Sequence, residues 1–101
     1  MNTEQLIEAG NACREANDPE GALENYAQAL TQDRNSASAF NNYGNVLREL
    51  GEPAAGIPFL ERATQLVPGA VTPNFNLAVA RLLMGDYEQG WPQYEHRWNY
   101  E

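Results

Sequence analysis

Four asparagines fall in two pairs 34 positions apart, Asn11 with Asn45 and Asn42 with Asn76, and Asn41 adjoins the set. A carboxamide offers two donors and an acceptor, so it pairs in both directions with an extended peptide backbone. A column of such groups holds a chain without demanding a particular side chain. Covalent and metal chemistry have weaker grounds. Cys13 is the one cysteine and falls among small and apolar residues, so it reads as a reduced packing thiol with no internal disulfide framework. His96 is the one histidine, which leaves no histidine cluster for a metal. The Asp and Glu residues are scattered over turns and solvent faces, and nothing pairs a nucleophile with a base and an orienting group. The expectation is a chain that is not an enzyme and holds no cofactor.

Amides in a column need regular elements to carry them. Residues 3–16 read as a first helix, with Thr3 as N-cap and Leu6, Ala9, Gly10 and Cys13 on one face. Asn17-Asp18-Pro19 ends it; Asp18 caps a second helix that Pro19 opens and that runs to about Gln32. A third spans about Ala37 to Leu50 with Phe40, Tyr43 and Leu47 inward, and Gly51 ends it by allowing a left-handed backbone. A fourth starts at Pro53, tolerates Pro58 early, keeps Ile57, Leu60, Ala63 and Leu66 inward, and stops at Val67-Pro68-Gly69. A fifth covers about Thr72 to Met84 and a sixth about Tyr87 to Tyr100. No strand is expected.

The helices repeat. Gly51 maps 34 positions back to Asn17 and forward to Gly85; Gly44 maps to Gly10 and Ala78; Leu60 maps to Tyr26 and Tyr94. The small residues fall where two helices of a pair meet closely, and a larger side chain there would push the backbones apart. A pair of this size cannot bury its apolar faces alone and needs a copy on each side. On these residues the chain resembles the tetratricopeptide repeat (TPR) family over nearly its whole length. The resemblance implies one domain over 1–101, with repeats at about 3–36, 37–70 and 71–101. The fold it implies is an all-α solenoid of three repeats, six antiparallel helices in a right-handed superhelix. Two departures stand out: Arg34 replaces the closing proline of the first repeat, and Asn74 stands where a large residue is usual, with Phe75 beside it.

In TPR proteins the first helix of each repeat lines a concave groove. The resemblance therefore implies groove contacts at Glu8, Asn11, Asn41, Asn42, Asn45 and Asn76. An asparagine ladder of this kind resembles that of the family's large sugar-transferring members. The implied function is a protein–protein interaction module that binds an extended peptide or a partner helix. TPR domains that grip acidic chaperone tails use a basic clamp, and here Ile7 fills the position usually taken by lysine. The chain has no lysine at all; Arg14 and Arg48 are the cations further along. A neutral or basic peptide is favoured instead.

The segment from Gly85 to Trp98 is the most aromatic stretch. Trp91, Tyr94 and Trp98 recur at spacings of three and four, so one stripe carries them. Tyr94 matches a family core position; Trp91 and Trp98 match positions that pack on a following repeat. Solenoids normally end in a polar cap, so these indoles are expected to dock a further domain in cis or a second copy of the chain. The stretch resembles the final TPR of bacterial proteins whose repeats precede a glycosyltransferase-like domain, which implies an N-terminal substrate-recognition module of a longer protein. The formal net charge of -8 and the absence of clustered cations argue against nucleic acid and anionic membrane surfaces. No apolar run approaches the ~20 residues that span a bilayer. The polar N-terminus is unlike a secretory signal, and a cytoplasmic protein is expected.

Overall fold

The computed structural model describes residues 1–85, which form five α-helices and no strand. They are α1 (Thr3–Glu15), α2 (Pro19–Gln32), α3 (Ala37–Glu49), α4 (Pro53–Leu66) and α5 (Val71–Leu83). The most extensive packing joins α1 to α2 and α3 to α4; α2 then lies against α3, and α4 against α5. The expected sixth helix, with Trp91, Tyr94 and Trp98, falls outside the described residues.

Each start has a local cause. The first helix begins at Thr3, as expected, but its cap lies one residue earlier than expected. Its cap is Asn2 rather than Thr3: Asn2 Oδ1 accepts from the Gln5 N–H at 2.8 Å, and Gln5 Oε1 accepts from the Asn2 N–H at 3.0 Å. This reciprocal box satisfies two orphan donors at once, which a lone Thr3 hydroxyl would not. Asp18 caps α2 through the Gly21 N–H at 3.0 Å, with Pro19 at the first helical position. Ser36 caps α3 through Ala39. Asn74 answers the question raised by its polar character: its Nδ2 donates to Pro68 O at 2.9 Å and Ala70 O at 2.7 Å. It stitches the α4–α5 turn instead of filling a core.

Three of the helix ends share one backbone solution. Asn17, Gly51 and Gly85 have φ of 63°, 84° and 73°. These are the positions related by the 34-residue period, so the repeat is conformational as well as compositional. Asparagine is among the few residues that tolerate this region when glycine is absent.

Close approach explains the other glycines. A Cβ on Gly44 would lie 2.7 Å from Leu60 Cγ and 2.9 Å from the Gly56 carbonyl oxygen. A Cβ on Gly10 would strike the Tyr26 ring, the residue that Leu60 replaces one repeat later. Phe59 fills the outer part of the α3–α4 contact against Tyr43 and Phe40, with ring centroids 4.4 and 6.3 Å away. The core between repeats rests on residues that the within-pair pattern did not single out. Val46 is fully buried with Ala22 and Tyr26, and Ala39 is buried with Leu6 and Ala29. Within the described residues, no helix is long and apolar enough to cross a membrane.

Candidate peptide-binding groove

The residues that line one concavity come from α1 and α3, with Glu15 and Glu49 at equivalent positions. Asn11, Arg14 and Glu15 approach from α1, Asn42 and Glu49 from α3, and together they enclose about 530 Å³ of open, polar space. Arg14 and Glu49 form an ion pair of 2.7 Å across the repeat junction. Burial works against the Arg14 charge, but the Glu49 carboxylate and the Tyr26 hydroxyl outweigh it and raise its pKa above the ordinary guanidinium value. Burial pushes the Tyr26 phenol up, and Arg14 pulls the other way without cancelling it. The phenol therefore stays protonated and donates to Asn11 Oδ1. That bond fixes the Asn11 carboxamide, which also accepts from Asn42 Nδ2 at a long 3.5 Å.

The second junction has the same helices and different chemistry. Asn45 is the repeat partner of Asn11, yet the residue opposite it is Leu60 in place of Tyr26, with no hydroxyl to give. Arg48 is the partner of Arg14, yet Leu83 stands where Glu49 would recur. Among the described residues Arg48 has no carboxylate partner; it turns back onto its own helix, donating from Nε to Asn45 Oδ1 at 3.1 Å and also from a terminal nitrogen. With Asn45 occupied, Asn76 Nδ2 donates to Asn41 Oδ1 at 3.0 Å instead.

The five predicted asparagines thus lie on facing helices, but they do not form one uniform column. Asn11 and Asn42 line the concavity. Asn41 and Asn45 are half-buried and each has its carbonyl engaged. Asn76 is only 6% exposed, and its amide is turned to Asn41. Glu8 is exposed on α1. Glu15, Glu49 and the Tyr26 hydroxyl were not among the expected groove residues. The signal for the acids was present, since Glu15 and Glu49 are separated by the same 34 positions as the asparagines. Trp91 and Trp98 lie outside the described residues.

Family models match part of this chain. One, described as TPR repeat, matches residues 10–51, and a second, described as Tetratricopeptide repeat, matches residues 37–68. Residues 10–68 are therefore tetratricopeptide repeats, a class that generally mediates protein–protein interaction. A mouse (Mus musculus) relative, Protein O-mannosyl-transferase TMTC1, is 34% identical over 76 residues. The match takes in 75% of this chain and 8% of the relative, so the chain spans a small part of that protein's length.

Proposed function

We propose that the chain is a single interaction module over 1–101 whose concave side binds an extended peptide. In this reading α5 opens a third repeat, and the groove runs across α1, α3 and α5. The observation that carries it is the polar concavity of α1 and α3, where Asn11 and Asn42 face open space beside the Arg14–Glu49 pair. The Asn42 carbonyl takes up no donor from the described residues, and its one amide bond is long, so both its functions are free to exchange partners with a peptide backbone. Asn41 and Asn45 are the adjoining contacts, and Asn76 contributes by orienting Asn41. The module itself carries no catalysis. A peptide-array screen on the wild type and on Asn42→Ala tests this: the variant should lose binding across many sequences alike, and equal binding by both would remove the groove asparagines from the mechanism.

One finding favours a second setting for the same groove. The mouse relative is named as an O-mannosyl-transferase, and this chain matches a small part of it. The module would then present protein acceptors to a sugar-transferring domain, docked through Trp91 and Trp98. Light scattering across concentrations on the wild type and Trp98→Ala distinguishes docking from self-association. A wild-type monomer at high micromolar concentration would remove the self-association alternative.

A further inference from the structure

The groove changes character along its length. On α3 the residues Asn41, Asn45 and Glu49 are polar; 34 positions on, α5 presents Phe75, Val79 and Leu83. These three recur every four residues, so they lie along one strip of α5. Phe75 is 64% exposed and Leu83 is 60% exposed, although both are large and apolar. At the other end Arg14 pairs with one of two groove carboxylates, Glu49, which leaves Glu15 in excess, with no ion pair among the described residues.

Building on the peptide-groove reading, we propose that this groove selects an extended peptide that is basic at one end and bulky-apolar at the other. Its Lys or Arg side chain seats beside Glu15 and Glu49, and its aliphatic or aromatic side chain covers Phe75 and Leu83. Charge complementarity chooses this occupant. The chain is acidic overall at -8, and the open end of the concavity has one carboxylate more than it has cations. An acidic peptide would meet Glu15 unshielded, and like-charge juxtaposition is a strong discriminator at interfaces. A wholly polar peptide would leave the α5 strip wet, whereas exposed apolar strips of this kind mark contact sites. The spacing follows from the helices. Packed helices lie ~8–10 Å apart, and an extended chain advances ~3.3 Å per residue. About three residues therefore separate anchors on α3 and α5, and about six separate anchors on α1 and α5.

The test uses the 101-residue chain and fluorescein-labelled twelve-residue peptides on a Ser/Thr frame. Each carries an Arg pair and a Leu-Phe pair at one of those separations, in both chain directions, and binding is read by anisotropy. At least one should bind, and should weaken about tenfold when its Arg pair becomes Glu or its Leu-Phe pair becomes Ser. Glu15→Gln should weaken it similarly, and Leu83→Glu should shift preference to a peptide with Arg pairs at both ends. A merely structural role of Leu83 would not produce that switch. Equal binding of the basic–apolar, acidic and plain frame peptides, all weakened by Asn42→Ala, would overturn this proposal and leave the groove reading standing. No binding by any of them, with the peptide array also blank, would overturn both. A loss of self-association in Leu83→Ser, with peptide affinity unchanged, would show that a second copy covers the strip and would also overturn it.

Discussion

At the residue scale, Tyr26 does two things. Its fully buried ring closes the Gly10 contact, and its hydroxyl fixes the Asn11 carboxamide at the groove. Tyr26→Phe keeps the ring and removes the bond, so the cost should be that of one unpaired polar group, about 1–2 kcal/mol. Chemical denaturation reads this as a lower midpoint at unchanged slope. The pH dependence follows from the raised phenol pKa. The unfolded chain ionises Tyr26 near 10.0, while the folded chain resists until higher pH. The contribution is therefore fully present below about pH 10 and is lost as pH rises through the folded value. Thermal melts from pH 7 to 11 should fall more steeply above pH 10 for the wild type than for Tyr26→Phe; parallel curves would show that Tyr26 is not the group responsible. The Arg14–Glu49 pair invites less. Its side chains are 28% and 48% exposed, so Glu49→Gln should change stability by no more than ~1 kcal/mol, within the range of exposed pairs.

At the element scale, the α3–α4 crossing depends on two glycines facing each other. A methyl group on Gly44 meets the Gly56 carbonyl oxygen, which is backbone, as well as the Leu60 side chain. Backbone cannot rotate away. Alanine favours a helix over glycine by about 1 kcal/mol, but overpacking costs typically 1–3. Gly44→Ala should therefore be net destabilising, by about 1–2 kcal/mol, in the same denaturation assay. Gly51 makes the contrast, since nothing lies within 4 Å of its would-be Cβ and only its φ of 84° resists substitution. These crossings and caps were legible in the sequence because each has a local or periodic mark: small residues one period apart, Asp18 before Pro19, and Gly51 after a periodic run. The N-cap of α1 lies one residue before Thr3 because Asn2 and Gln5 close a reciprocal box, a pairing that a single capping hydroxyl does not reveal. Val46 and Ala39 were missed for a different reason. They face the preceding repeat, and a pattern that looks within one helix pair does not reveal which residues serve the next.

At the scale of the whole molecule, repetition of the backbone does not force repetition of the chemistry. The asparagine spacing suggested an even ladder, and two substitutions divert it. Leu60 for Tyr26 removes a donor from Asn45, and Leu83 for Glu49 sends Arg48 onto Asn45 in its place. Side-chain partners across a junction are long-range facts that periodicity alone does not supply. Net charge is read more directly from sequence, and it sets a last prediction. With 14 acidic and 6 basic residues, the folded chain concentrates more repulsion than the two ion pairs among the described residues relieve, both being partly exposed and weak. Raising salt from about 10 mM to 0.5 M shortens the Debye length from ~30 Å to a few ångströms. Repulsion spread over the chain is then screened, while the contacts buried between helices are not. The melting temperature should rise by a few degrees. Over the same range a basic peptide should bind less tightly, because its attraction to Glu15 and Glu49 is screened too. Opposite salt responses of stability and affinity would trace both to the acidic surface. A melting temperature that fell with salt would mean that specific ion pairs outweigh the net charge in holding the helices together.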